Sequence, residues 1–95
     1  MKMVLVIADE ARVDDFRGYC MDLGCGGYTM IPVLQGAGRT GIHAGDRVHP
    51  GGLVALFTIL PDEKAGAVFD EVTRRRDAAG DQVSRLFLLP VDRQA

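Results

Sequence analysis

Cysteine is scarce in this sequence. Cys20 and Cys25 are the only two, too few for a disulfide framework and not a CxxC pair, which fits a reducing compartment. Positive charge is thin as well: the formal net charge is −2 and no basic stretch is longer than Arg74, Arg75 and Arg76, so the electrostatic footprint of a nucleic-acid binder is absent. Long apolar runs are missing too. The opening MKMVLVIADE carries one Lys and an apolar run far too short for a signal sequence, and no later run approaches a membrane span. The expectation is a cytoplasmic protein with no nucleic-acid partner and no membrane insertion.

The apolar and charged fractions, 47% and 25%, are ordinary for a folded domain. With 95 residues there is room for a single domain, 1–95. A core that small is marginal, because too little of the chain's surface can be buried without help from a partner chain.

Met3 to Ala8 is apolar without a break, which fits a strand buried on both faces. Asp14 and Asp15 supply a cap and negative charge for a helix start, and Val13, Phe16, Cys20 and Leu23 recur at spacings of three and four until Gly24 ends the run. Cys20 sits on that apolar stripe and belongs to the core; Cys25 follows the helix, where partial exposure is expected. Tyr28 to Leu34 suits a strand but carries Pro32, which cannot donate to a ladder, so it belongs at a sheet edge.

Leu53 to Leu60 is a second unbroken apolar run and belongs in the centre of the sheet. Pro61, Asp62 and Glu63 suit a helix N-terminus; Ala65, Val68, Phe69, Val72 and Arg76 mark one face; Gly80 stops it. Arg74 to Arg76 lie in the last turns, where cations complement the helix dipole, and Asp70 with Arg74 and Glu71 with Arg75 are helical neighbours. Leu86 to Val91 contains Pro90 and is again an edge strand. The order β-α-β-β-α-β is a split βαβ pair of the ferredoxin-like α+β type, a four-stranded antiparallel sheet with two helices on one face. All four strands carry apolar side chains on both faces, so one sheet face is left bare. Another copy of the chain is expected to cover it.

Between the runs Tyr28 to Leu34 and Leu53 to Leu60 lies Gly36 to Gly52, GAGRTGIHAGDRVHPGG, which holds six of the twelve glycines. It has neither a helical nor an alternating apolar period and reads as a long polar loop, the kind that is usually functional. Gly36 to Gly41 matches GxGxxG, but no helix can open after it, so a dinucleotide fingerprint is rejected. Two readings of the glycines stay open: turn geometry alone, or a concavity of backbone N–H groups to which Arg39 and Arg85 add guanidinium donors for phosphate or carboxylate. His43, Asp46 and His49 are spaced three apart. They are either solvent-exposed loop residues or ligands of a metal. Cys25, Ser84, His43 and Asp46 compose a nucleophile-base set on paper, but nothing in the sequence brings them together, so a non-enzyme is expected.

Val13-Asp14-Asp15-Phe16-Arg17 resembles the LDDVR of the PII signal-transduction proteins. In the same order, Leu23-Gly24-Cys25-Gly26-Gly27-Tyr28-Thr29 is similar to that family's IGVxGMT, Gly36-Ala37-Gly38-Arg39 to its GFGR, and Leu86-Phe87-Leu88-Leu89-Pro90-Val91 to its IFVLPV. The resemblance spans nearly the whole chain and implies a homotrimer with its sheets facing inward. It implies a nucleotide- or anion-binding set of Ile7, Thr29, Gly36, Gly38, Arg39 and Arg85 in clefts between subunits, with ATP, ADP or AMP as ligands. It also implies a target protein, such as a transporter or enzyme, touched by the loop through Thr40, His43, Asp46, Arg47 and His49.

Three features depart from the family's pattern. The loop is shorter and has no tyrosine, so uridylylation there is not expected. The family's phosphate-wrapping GDGK turn is replaced by Gln82-Val83-Ser84-Arg85, and the segment that carries further phosphate-contacting arginines has no counterpart here. The alternative function is a metal-binding trimer resembling the CutA-like branch of the architecture, with His43 and His49 as ligands.

Overall fold

A computed structural model of the chain describes residues 1–33, 36–38, 41–43 and 52–95, with the backbone alone for 36–38 and 41–43. The elements in chain order are β1 (Lys2–Asp9), α1 (Glu10–Asp22), β2 (Thr29–Val33), β3 (Gly36–Gly38), β4 (Gly41–His43), β5 (Leu53–Leu60), α2 (Asp62–Ala78) and β6 (Arg85–Pro90). The main sheet has the order β2-β5-β1-β6, antiparallel throughout. The two proline-free runs are central and the strands with Pro32 and Pro90 are at the edges, as the missing N–H donors dictate. This is the ferredoxin-like α+β fold.

Alternation decides what each strand does with its unbroken apolar run. Val4, Val6 and Ala8 of β1 and Val54, Leu56 and Leu60 of β5 point to one face, where Val13, Phe16 and Cys20 of α1 and Ala65, Val68 and Val72 of α2 close over them. The opposite residues form the other face. There Leu5 stands between Phe57 and Phe87, Met3 between Ile59 and Leu89, and Ile7 between Ala55 and Arg85, with Thr29 beside Phe57 and Ile31 beside Ala55. Among the described residues no helix covers these side chains: Ile31, Phe87 and Leu89 remain 48%, 43% and 39% exposed. A contiguous apolar surface of that kind is an interaction surface.

Both helices end in the same way. Gly24 and Gly80 follow the last turn at φ 68° and 72°, a backbone conformation that costs glycine least. The next residue's N–H then reaches back over the helix end, from Cys25 to the carbonyl of Cys20 (3.0 Å) and from Asp81 to that of Arg76 (3.2 Å). Arg75 joins the two helices, with its guanidinium on Asp22 (3.2 Å) and over the Tyr19 ring (5.4 Å).

Three expectations are corrected. Helix α1 begins at Glu10, not at Asp14. Its first turn carries no apolar stripe to announce it, and the carbonyl of Gly52 accepts the N–H of Glu10 (3.1 Å), satisfying a donor that a side-chain cap would otherwise take. Asp14 and Asp15 instead lie on the exposed side, paired with Arg17 and Arg12. Part of the loop from Gly36 is strand: β3 and β4 form a two-stranded ribbon with Gly36 opposite His43 and Gly38 opposite Gly41. Glycines on a ribbon leave no alternating side chains for a pattern to register. Cys25 is buried, not partly exposed, because the reversal at Gly24 turns it back under α1.

Candidate functional site

Ile7 and Arg85 are directly paired across β1 and β6 on the uncovered face. Thr29 opens β2 one row away on that same face, two strands from Ile7, hence about 10 Å from β1. Gly36 and Gly38 follow β2 on β3. His43 ends β4, its side chain outside the described residues; Arg39, Thr40, Asp46, Arg47 and His49 lie wholly outside them. Ile7, Arg85 and Thr29 are thus brought onto one surface, and the proposed loop contacts and metal ligands fall outside what the structure describes. Among the described residues no three His, Cys, Asp or Glu side chains gather around a common point.

A cleft of about 250 Å³ opens beside Thr29, lined also by Cys25, Gly27, Tyr28, Phe57, Thr58 and Ile59. Its shape depends on a residue that sequence reasoning missed. Thr58 is a polar side chain on the buried face of β5, and its hydroxyl donates to the carbonyl of Gly27 (2.7 Å), clamping the 24–28 segment against the sheet. A threonine inside an otherwise apolar run was the available signal.

The turn before β6 is organised by a second missed residue, Asp81. Its side chain is 4% exposed. One carboxylate oxygen accepts the N–H groups of Val83 and Ser84 (both 3.0 Å), and the other accepts the Ser84 hydroxyl (2.6 Å). The Arg12 guanidinium, from the first turns of α1, stands 3.6 Å away. Burial alone would raise the Asp81 pKa; the hydrogen bonds from Ser84 and Val83 and the charge of Arg12 outweigh it and hold the carboxyl below its ordinary value. An Asp just past a helix-ending glycine, with Ser three positions on, is a turn signature that the sequence did contain.

Arg85, an exposed residue, engages the same turn through one guanidinium nitrogen, Nη1. Its guanidinium donates to the carbonyls of Gln82 (2.9 Å), Val83 (3.2 Å) and Ser84 (3.3 Å). The turn therefore already holds an internal anion on its donors and an internal cation on its acceptors. Phosphate oxygens cannot use the N–H groups of Val83 and Ser84 while Asp81 occupies them, so the residues of this turn do not fit a polyphosphate. The Thr29 cleft imposes no such conflict.

The fold defines the class first: a ferredoxin-like sheet with both helices on one side and an apolar face with a cleft at its edge. The chain belongs to the nitrogen regulatory protein P-II family, whose model matches residues 1–94, a family of signalling proteins. A comparison with curated proteins gave no match. Among solved structures the chain is similar to CPII, a nitrogen regulatory PII-like protein from Thiomonas intermedia bound to ADP, AMP and bicarbonate, with 18% identity and a TM-score of 0.70 over 93% of this chain and 88% of that one. It is similar to a DUF3240 family protein from Shewanella baltica, with 15% identity and a TM-score of 0.71 over 99% and 92% of the two chains. A putative PII-like signalling protein from Thermus thermophilus has 20% identity and a TM-score of 0.66 over 92% and 80%. At these identities the likeness establishes a shared fold. No helix among the described residues is long and apolar enough to cross a membrane.

Proposed function

We propose that this chain is a PII-like regulator without catalytic activity, a cytoplasmic homotrimer that senses a small anionic metabolite in clefts between its subunits. The observation that carries the reading is the position of the Thr29 cleft at the rim of the uncovered apolar face. A copy of the chain packed on that face closes the cleft, so ligand binding and assembly share one surface. An adenine nucleotide is the first candidate, in keeping with the ADP, AMP and bicarbonate bound to the Thiomonas protein.

Because the turn before β6 is internally satisfied, phosphate contacts fall to the glycine backbone at Gly36 and Gly38 and to Arg39. Ligand contact there is coupled to the Gly36 to Gly52 segment, and that segment engages or releases a target protein such as a transporter or enzyme. Thr40, His43, Asp46, Arg47 and His49 are the residues offered to the target.

Calorimetry with ATP, ADP, AMP and bicarbonate tests this. Binding by at least one of the nucleotides, weakened in Thr29→Ala and Arg39→Ala, is expected. Absence of heat from all the nucleotides at millimolar ligand removes the nucleotide from the proposal.

A further inference from the structure

The 24–28 segment that walls the Thr29 cleft has few side chains of its own to hold it. Three of its five residues are glycines, and a Cβ placed on Gly26 or Gly27 would meet nothing within 4 Å, so no neighbour packs against the backbone at those positions. The segment also lines a second cavity, about 440 Å³, with Cys20 and Met21 at the end of α1. Cys25, Gly27 and Tyr28 line both spaces. A stretch of chain with so little packed against it keeps its place through the bonds made to it.

Two side chains make such bonds, one from each side of Pro61. The buried Thr58 hydroxyl of β5 donates to the carbonyl of Gly27 (2.7 Å). The Lys64 ammonium of α2 donates to the carbonyl of Gly24, and the nearest atom to a Cβ built on Gly24 is that same ammonium, at 4.0 Å. The place of Lys64 is not one that α2 favours by itself. Asp62 and Glu63 are the charges that suit the first turn of a helix, whereas a cation there opposes the dipole. Lys64 is exposed, so core packing does not call for it either. What the position offers is reach to Gly24, just past the C-terminal end of α1, where a cation is favoured.

We propose that Lys64 is a positioning residue for the cleft, a latch that fixes the Gly24 end of the wall as Thr58 fixes the Gly27 end, so that ligand affinity at Thr29 depends on it. Both anchors belong to the corner where β5 passes into α2, which ties the wall to one part of the frame. The Thr58 end is buried, and the Lys64 end is the one that opens to water. Without the Lys64 bond, Gly24 and Gly26 are free to turn about their backbone, and Cys25, Gly27 and Tyr28 move with them, changing the width of the cleft. The effect on affinity rests on the reading of the cleft as a ligand site; the latch itself does not.

Amide hydrogen exchange on the ligand-free full chain, followed by calorimetry with AMP and ADP, tests this in Lys64→Ala and Lys64→Arg. In Lys64→Ala the Gly24 and Cys25 amides, both hydrogen-bonded at the end of α1, should exchange about three- to fivefold faster, the worth of one exposed charged hydrogen bond. Amides of β1 and β5 should be unchanged, and nucleotide binding should weaken by a similar factor. Lys64→Arg, which still donates to Gly24, should restore both. Unchanged exchange at Gly24 and Cys25, a Lys64→Arg chain that exchanges like Lys64→Ala, or exchange raised throughout the chain as in general destabilisation would each overturn the latch. Faster local exchange with unaltered nucleotide affinity would overturn its bearing on the ligand. A wild-type chain that binds neither nucleotide removes the reading of the cleft instead, and the exchange of the ligand-free chain still decides the latch.

Discussion

Removing the Asp81 carboxylate is the sharpest test of how the turn before β6 is held. In Asp81→Ala, the N–H of Ser84 and the Ser84 hydroxyl, on a residue 1% exposed, lose their acceptor inside the protein. Water replaces the bond at Val83, whose N–H is exposed, but reaches the other two poorly. Two buried donors stranded at about 1–2 kcal/mol each give a loss of about 2–4 kcal/mol. For a chain of this size that corresponds to a fall in Tm of about 10–25 °C.

Asp81→Asn keeps one acceptor oxygen for the backbone donors and loses the charge that faces Arg12, so its loss should be about half as large. The pH dependence has a definite sign. The Asp81 carboxyl is held below its ordinary value of 3.8 in the folded chain; its stabilisation is therefore complete above that pH and disappears as pH falls through the lower, folded value. The gap between wild type and Asp81→Asn closes in that acid window and stays constant toward neutrality. Urea or thermal unfolding followed by circular dichroism, at one fixed chain concentration, measures both effects. A cost for Asp81→Ala below about 0.5 kcal/mol at neutral pH, the level of an ordinary surface change, would refute this account of the turn.

Leu5→Glu places a charge at the middle of the uncovered face, between Phe57 and Phe87, without entering the helix-covered core. If the proposed trimer forms through this face, light scattering should report the mass of three chains for the wild type and of one for the variant, and a variant that still runs as three copies would show that the face is not the interface. Glu71, bridging Arg74 and Arg75 on α2, has its carboxyl drawn down to about 2, first by the hydrogen bond from Arg74 and then by that from Arg75. Its carboxylate carbon should titrate near that value by NMR, with little change in overall stability for Glu71→Gln because its partners are solvent-accessible surface arginines on the same helix.

Most of the fold was legible because two independent signals agreed. Proline excluded Tyr28 to Leu34 and Leu86 to Val91 from the sheet centre, and the unbroken apolar runs claimed it. Helix stripes at Val13, Phe16 and Cys20 and at Ala65, Val68 and Val72 were equally plain, since core packing enforces their period. The start of α1 was not, because a helix turn that buries nothing leaves no stripe. The ribbon of β3 and β4 escaped for a related reason: glycine marks a change of backbone and carries no face. Arg85 was read as a guanidinium donor for phosphate or carboxylate on the strength of its charge, and the contacts of its Nη1 with carbonyls within three residues of it were not visible in the sequence. Asp81 and Thr58 were passed over because their work is to satisfy backbone groups, which composition does not reveal.

The two prolines on the outer strands also bear on how copies of this chain can add to one another. A neighbour laid along the rim of the sheet meets, at Pro32 on one side and Pro90 on the other, a position with no donor. Ribbon-like growth from rim to rim is an open-ended process with no natural stopping number, and these gaps discourage it on both flanks. Association through the broad face is finite, because the surface is used up once it is covered. The same two residues that reveal the strand order thus favour a particle of fixed size over a filament.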